Sequence, residues 1–442
     1  MNMNYQNQFT IAIALIIILS NINIAPAQNW PQWRGPLSTG AAPAGNPPIE
    51  WSEQQNVRWK VPIPGTGYST PIIWDNTIFI TAAIAPKSDE SSSGNPDSIR
   101  RRGRRPVPEI PVKFIVIAVD RTNGEILWER LAREEIPHEG QHPTTTWATG
   151  SPVTDGKYLF AYFGSRGLYC YDLKGTLLWE KDFGDLRINS THGEGATPAL
   201  YKDRLIVNWD HEDQSFITVL DAATGKEIWK KNRDEVTTWM TPLIVEVDGK
   251  DQVITSGTNR IITYNLANGN ILWEDNGLTA NVIPCPVESD GVVYLTSGHR
   301  GSALRAIRLS GASGNISGSP AILWSYNQDT PYVPSPLLHG GLLYFMKSNQ
   351  GILTCIDIAT GKPHYARQRL EGIRSLYASP VGVQDRVYIL SREGVMMVLR
   401  HGSKFDVLAT NTLDDNFDAS PVIVGDEMYL RGHEYLYCIA RQ

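Results

Sequence analysis

Short apolar runs and polar turns alternate along this chain in a pattern that recurs eight times. Each recurrence opens with Ser, Thr or Cys followed by Pro, and two apolar runs separated by a turn come after it. Paired runs of this kind predict a β-hairpin, with the Pro near the start of an innermost strand. Most of the eight dipeptides are 41 to 50 residues apart, and they are Thr70-Pro71, Ser151-Pro152, Thr197-Pro198, Thr241-Pro242, Cys285-Pro286, Ser335-Pro336, Ser379-Pro380 and Ser420-Pro421.

A second signal follows the hairpin in several repeats. It consists of Asp or Asn, then Gly, then an aromatic ring four residues after the Gly, as in Asp221, Gly225 and Trp229. Gly accepts positive φ in a tight turn between the two outer strands, and the large ring is expected to dock between neighbouring blades. The outer-strand rings assigned this structural docking role are Trp59, Trp128, Trp179, Trp229, Trp273, Trp324 and Tyr365.

Four strands per repeat and eight repeats predict an all-β chain folded as an eight-bladed β-propeller over residues 57–442. The last repeat supplies only three strands, whereas the segment around Trp59 supplies an outer strand without a hairpin. We predict that this N-terminal strand pairs with the C-terminal blade and closes the ring. Residues 28–56 form a lead segment expected to cover one end. Repeats five and seven depart from the outer-turn rule, and their blades are expected to pack less tightly.

The first 27 residues predict a signal peptide. An apolar run from Ile11 to Leu19 precedes Ala25-Pro26-Ala27, which provides the small residues of a cleavage site. The run is too short to span a bilayer. We therefore expect a periplasmic or secreted protein without a membrane span. The four cysteines lie in different repeats, too far apart to bridge, so free and mostly buried thiols are expected.

Charge further limits the partners. The formal net charge is -6, which argues against binding to nucleic acid. Residues 86–111 interrupt the first repeat with a Ser-rich stretch and an Arg-rich stretch, and they predict a disordered basic insertion. We expect a monomer with a protein or glycan partner.

The Ser/Thr-Pro start and the outer turn ending in Trp229 resemble the pyrroloquinoline-quinone-like propeller repeat across residues 57–442. This superfamily includes quinoprotein alcohol dehydrogenases and the propeller lipoprotein that helps to assemble outer-membrane barrels. The resemblance implies the fold and leaves two functions open. One is an exported, non-catalytic binding or assembly scaffold without a cofactor. The alternative is an alcohol or sugar dehydrogenase that uses pyrroloquinoline quinone and Ca²⁺. It is less favoured because the chain lacks the adjacent cysteines of familiar alcohol-oxidising members.

Candidate site residues gather on one predicted face, where the loops between strands two and three meet the loops between blades. Asp210 and His211, with His192 and Glu194, form either a solvated acidic loop or a cation site, although their spacing matches no defined metal motif. Rings and charges just before the inner strands predict a rim for a sugar, a quinone or a peptide. The residues assigned to this ligand-binding face are His142, Trp147, His192, Glu194, Asp210, His211, Trp239, His299, Arg300, Tyr332, Arg374, Tyr377 and Asp418. No catalytic residue is assigned.

Overall fold

Eight small sheets surround a central channel, and this confirms the predicted eight-bladed β-propeller. A computed structural model describes residues 29–86 and 107–442, so the predicted signal peptide and most of the Arg-rich insertion lie outside the described residues. The first strand of each blade is its shortest and contacts the first strands of neighbouring blades. These short strands therefore form the wall of the channel.

The first strand of the chain, β1 (Val57–Pro62), belongs to the last blade. Blade 1 contains β2 (Ile72–Trp74), β3 (Thr77–Ile84), β4 (Val112–Asp120) and β5 (Ile126–Glu135). Blade 2 contains β6 (Val153–Thr154), β7 (Tyr158–Tyr162), β8 (Leu168–Asp172) and β9 (Leu177–Lys181). Blade 3 contains β10 (Ala199–Tyr201), β11 (Arg204–Trp209), β12 (Phe216–Asp221) and β13 (Glu227–Asn232). Blade 4 contains β14 (Leu243–Val247), β15 (Lys250–Thr255), β16 (Arg260–Asn265) and β17 (Ile271–Asn276).

The second half of the ring repeats this order. Blade 5 contains β18 (Val287–Ser289), β19 (Val292–Ser297), β20 (Ala303–Arg308) and β22 (Ile322–Ser325), and its long outer turn adds β21 (Gly314–Asn315) to the edge of blade 4. Blade 6 contains β23 (Leu337–His339), β24 (Leu342–Met346), β25 (Ile352–Asp357) and β26 (Pro363–Arg369). Blade 7 contains β27 (Val381–Val383), β28 (Arg386–Leu390), β29 (Val395–Arg400) and β30 (Val407–Thr412). Blade 8 contains β31 (Val422–Val424), β32 (Glu427–Arg431) and β33 (Tyr435–Ile439). Two single-turn 3₁₀ helices lie in loops, at Gly164–Arg166 and Asn189–Thr191.

The ring closes as predicted. Strand β1 pairs antiparallel with β33, and Trp59 lies opposite Cys438. An early strand thus forms the outer edge of the last blade, which removes the open end of the array. All four cysteines are buried and free, which confirms the expectation from their spacing.

Indole rings connect neighbouring blades through a recurring hydrogen bond. The ring N–H donates to the carbonyl that follows the Asp or Asn of the next blade's outer turn, at 2.7 to 3.2 Å. The donor and acceptor residues are Trp59 with Arg121, Trp128 with Leu173, Trp179 with Ala222, Trp229 with Leu266 and Trp324 with Ile358. Gly225, at φ 67°, shows why the turn requires glycine, because an added Cβ lies 2.8 Å from the Trp179 ring.

The seams that involve repeats five and seven are built differently. Trp273 is fully buried, but its N–H has no partner among the described residues, since blade 5 has a longer outer turn. Blade 7 carries Ala409 opposite Val398, where each of the other seven blades carries an aromatic ring. Trp51 from the lead segment stacks on Tyr388 of blade 7, with ring centroids 6.4 Å apart, and joins the core shared by blades 7 and 8.

Hydrogen bonds between the Ser/Thr/Cys-Pro motifs also run around the channel. The backbone N–H of a motif residue donates to the side chain of the motif residue in the next blade, at 2.9 to 3.2 Å. Seven of the eight possible links form. The missing link is between Thr197 and Thr241, whose hydroxyl is buried without a partner among the described residues. The motif therefore starts the inner strand and also links neighbouring blades. This circle of hydrogen bonds is called the motif ring.

The lead segment runs across the end of the channel formed by the hairpin turns. Trp30 bridges Ile73 of blade 1, Ala42 donates to the carbonyl of Gly382 in blade 7, and Asn46 donates to Asp426 in blade 8. Between these anchors, Trp33 and Arg34 lie across the channel. In the described part of the chain, no helix is long and apolar enough to cross a membrane.

Candidate ligand-binding site in the central channel

Trp33 divides the central channel into two cavities, because it lines both of them. The upper one, called the cup, has a volume of about 210 Å³ and is closed below by this indole. The Trp33 N–H donates to the hydroxyl of Ser420, at 3.4 Å. The lead segment thus converts an open channel into a blind cavity. It is accessible from the face formed by the loops that enter the blades, called the loop face, and the opposite face is called the hairpin face.

Each of the eight loops that enter the blades places a side chain on the wall of the cup. In blade order these side chains are Tyr68, His142, His192, Trp239, Ile283, Tyr332, Tyr377 and Asp418. Threonine and serine hydroxyls lie between them, including those of Thr70 and Ser151 from the inner motif ring. The wall therefore combines ring faces with hydroxyl groups that donate and accept hydrogen bonds.

The one carboxylate that the described residues bring to the cup is neutralised by its neighbours. Asp418 accepts two hydrogen bonds from Arg392, at 2.5 and 3.0 Å, and its Oδ2 lies 3.0 Å from Nε2 of His433. The Arg392 guanidinium also lies 4.2 Å above the Tyr377 ring, and His433 stacks on Tyr68. The charges at the rim pair with one another, which makes the cup suited to an uncharged ligand.

Glu194 positions the loop that carries His192. Its half-buried side chain accepts hydrogen bonds from the backbone and hydroxyl of Ser165, and desolvation raises the pKa of the carboxyl group. In the same loop, the Gly193 carbonyl accepts the Trp239 indole N–H at 2.7 Å. Glu194 lies outside the cup, but its contacts help to hold His192 and Trp239 in place before any ligand arrives.

Asp210 lies in a fully buried ion pair, although an acidic run normally predicts a solvated loop. It accepts Arg233 Nε at 2.7 Å and Nη2 at 3.1 Å, and it also accepts the hydroxyl of Thr238, at 2.7 Å. Because Thr238 precedes Trp239, this pair fixes the strand entry that supplies the ring. Of the acidic run, Asp213 is exposed and pairs with Arg187 on the surface.

The structure brings six of the predicted residues together in the cup, and they are His142, His192, Trp239, Tyr332, Tyr377 and Asp418. His299 contacts Tyr332 with the two rings tilted and their centroids 4.5 Å apart, and Trp147 packs in the core between blades 1 and 2. His211 is buried, with Nε2 3.2 Å from the carbonyl of Gln214. Arg300 and Arg374 are exposed and do not line the cup.

Comparison with protein families shows to which family the chain belongs. A sequence model of the family described as outer membrane protein assembly factor BamB matches residues 112–276 and 212–442. The chain belongs to this family. No curated protein matches this sequence significantly.

Solved structures with the same fold include a BamB protein and two alcohol-oxidising dehydrogenases. BamB from Moraxella catarrhalis aligns with a TM-score of 0.54 at 14% identity, covering 76% of this chain and 95% of that one. Quinohemoprotein alcohol dehydrogenase ADHIIG from Pseudomonas putida HK5 aligns at 0.56 and 10%, covering 93% and 80%. A europium-containing methanol dehydrogenase aligns at 0.50 and 11%, covering 84% and 89%. At these identities the likeness extends to the fold alone.

The cup of this BamB-family protein does not fit the calcium and quinone centre of the dehydrogenase alternative. Ca²⁺ takes about six to eight oxygen ligands, usually with several carboxylates. The described lining contains one carboxylate, Asp418, and its oxygens are already used by Arg392 and His433. Among residues 29–86 and 107–442, no group of three or more His, Cys, Asp or Glu side chains is arranged to hold a metal ion.

Sequence reasoning missed the floor of the cup. Trp33 lies in a lead segment with no repeat pattern, and its position depends on contacts with Ser420 at the far end of the chain. Tyr68 was also missed, although it occupies the same position before an inner strand as Trp239 and Tyr377. A comparison of the residues two positions before each Ser/Thr/Cys-Pro motif would have found Tyr68.

Proposed function

We propose that this protein is a non-catalytic recognition scaffold, exported to the periplasm or the cell surface, that holds a glycan or a protein through its loop face. The cup is the contact point, and a single neutral sugar ring of a glycan is its favoured ligand. The observation that carries this proposal is the blind cavity above Trp33, walled by aromatic rings and hydroxyls.

The size and chemistry of the cup support a small ring-shaped ligand. Its volume of about 210 Å³ is below the ~300–1,000 Å³ of pockets that take drug-sized molecules. Aromatic faces stack on the apolar face of a sugar, while Thr, Ser and His side chains exchange hydrogen bonds with its hydroxyls. The Asp418 charge is paired with Arg392, so neither a cation nor an anion gains a free counter-charge.

Preorganisation also supports binding. His142 donates its backbone N–H to the carbonyl of Thr191, at 2.9 Å, and Trp239 is tied to the same loop through Gly193. Three wall residues, His142, His192 and Trp239, are therefore held by one connected set of hydrogen bonds. A ligand that enters such a site loses less affinity to the ordering of side chains.

A panel of neutral monosaccharides and oligosaccharides, titrated by calorimetry into the mature protein, tests this proposal. Binding of a sugar that is weakened about tenfold or more in Trp239→Ala supports it, since stacking on an indole is lost. Trp74→Ala is the matched control, because Trp74 is partly buried but lines neither channel cavity. Equal loss in both variants, or no binding of any sugar, contradicts the cup as a glycan site.

The dehydrogenase alternative has its own test. After incubation with pyrroloquinoline quinone and Ca²⁺, the protein is assayed for dye reduction with alcohols and sugars. We expect no substrate-dependent reduction. Turnover that is lost in Trp239→Ala overturns the non-catalytic proposal.

A further inference from the structure

A second cavity lies beneath Trp33, on the opposite side of the indole from the cup. This lower cavity has a volume of about 360 Å³ and lies between lead residues 32–38 and the inner strands of blades 3, 4 and 5. Arg34, Thr241 and Cys285 are among the side chains that line it. The proposed glycan site does not include it.

Arg34 is a buried charge without a counter-charge. The residue is 4% exposed, and its Nη2 donates to the carbonyls of Thr39, Pro336 and Pro380. Its Nε and Nη1 are buried and have no hydrogen-bond partner among the described residues. Burial lowers the pKa of Arg34 to about 10, and no carboxylate contributes to its shift. An isolated buried cation is unfavourable and gains strongly from a bound anion.

A second unpartnered group lines the same cavity. The hydroxyl of Thr241 is buried without a partner, because the link from Thr197 is the only one missing from the motif ring in the described chain. The neighbouring thiol of Cys285 accepts a hydrogen bond from the Thr241 backbone, at 3.2 Å. Two guanidinium nitrogens and one hydroxyl without a partner in the described chain thus belong to side chains that line one cavity.

We propose that the lower cavity binds a small oxyanion, a carboxylate or a phosphate group, through Arg34 and Thr241. A guanidinium presents its N–H groups in a planar fork that matches the oxygens of either group. The bound oxyanion neutralises the buried charge of Arg34. It also accepts a hydrogen bond from the Thr241 hydroxyl, which receives no link from Thr197. Because Arg34 belongs to the lead segment, binding also holds this segment against blades 6 and 7, whose carbonyls it already contacts.

Thermal unfolding and calorimetry of the mature protein test this site, with inorganic phosphate and acetate as separate probes at constant ionic strength. We expect a saturable rise in Tm with at least one probe, since a ligand of the folded state stabilises it. The probe that acts identifies the oxyanion class. In Arg34→Met the rise is expected to disappear, with Kd weakened by about tenfold or more.

Arg431→Met is the matched control. Arg431 is also buried, and it donates to Ser69 near the upper end of blade 1, away from the lower cavity. The Arg431 variant is expected to keep the wild-type response to the oxyanion. If Arg34→Met does not fold, Thr241→Val replaces it, and a Kd at least about threefold weaker is expected from the lost hydroxyl. The proposal is overturned if the wild type responds to neither probe, or if the folded test variant binds as tightly as the wild type.

Discussion

The two halves of the central channel are built to opposite electrostatic patterns. Above Trp33, the charge of Asp418 is paired with Arg392, and behind the wall of the cup the charge of Asp210 is paired with Arg233. Below Trp33, Arg34 is buried with two nitrogens unpartnered in the described chain. One propeller therefore presents a neutral, ring-lined cavity on its loop face and, on its hairpin face, a cavity beside a buried guanidinium.

This difference shows how a single repeat fold can produce unlike sites. The motif ring that surrounds the channel is nearly uniform, with seven links of the same kind. The distinct features come from loop side chains above and from the lead segment below. Site chemistry is thus determined by the non-repeating parts of the chain.

Breaking the buried ion pair of the upper half is expected to have the largest effect. Asp210→Asn leaves Arg233 buried without its counter-charge, as Arg34 is in the lower half. The free energy of unfolding should fall by about 3–5 kcal/mol, measured by urea denaturation. Asp213→Asn, which breaks an exposed pair with Arg187, should cost less than about 1 kcal/mol. Equal costs at the two positions contradict a structural role for the buried pair.

Removing the partition between the two halves comes next. Trp33→Ala should lower the free energy of unfolding by about 2–3 kcal/mol, less than for a fully buried indole because Trp33 is partly exposed. It should also weaken any ligand of the cup, since the floor is lost. Trp74→Ala, a partly buried indole outside both cavities, should cost similar stability without changing that affinity. Chemical denaturation measures the free energy of unfolding, and calorimetry measures the ligand affinity of the cup. An unchanged affinity in Trp33→Ala contradicts the role of Trp33 as the floor of the cup.

The motif ring allows a finer comparison between a link that forms, at Ser151, and the link that is missing, at Thr241. Ser151→Ala removes an acceptor of the Thr70 backbone N–H and should cost about 1 kcal/mol or more of unfolding free energy. Thr241→Val removes a hydroxyl without a partner in the described chain, so its cost should be close to zero in the absence of an oxyanion. Denaturation of both variants in chloride buffer measures the difference. A larger loss in Thr241→Val contradicts the assignment of Thr241 to the missing link.

The smallest expected effect is a pH dependence on the hairpin face. His339 and His401 face each other across blades 6 and 7, with ring centroids 4.6 Å apart, and burial lowers the pKa of both below the ordinary value. Below about pH 6.5 the unfolded chain therefore binds more protons at these sites than the folded chain, and stability is lost as the pH falls. Replacing both with Gln should flatten the decline of Tm between about pH 7 and pH 5. An equally steep decline in the double variant rules out these rings as its source.

Features with a local cause were predictable from the sequence. The docking rings follow a fixed spacing from Asp and Gly, so Trp179 and Trp229 could be assigned to seams from their own repeats. The pairing of the strand that carries Trp59 with the C-terminal blade followed from counting the strands that each end of the chain supplies.

Features with a distant cause were not predictable. The acidic run at Asp210 indicates a solvated loop until Arg233, 23 residues later, is seen to enter the core beside it. The seam at blade 7 lacks a docking ring in its own repeat, and Trp51 supplies one from more than three hundred residues away, as its hydrogen bond to Asn411 shows. No spacing rule connects such partners, because folding alone brings them together.

A crystal structure of the protein with its best-binding neutral sugar is the decisive test of the cup as a glycan site. We expect one sugar ring inside the cup, stacked against the Trp239 or Tyr377 ring and lying above Trp33, with its hydroxyls hydrogen-bonded to the threonines and histidines of the wall. A sugar bound on the outer blade edges, or on the hairpin face with the cup left to solvent, would contradict it.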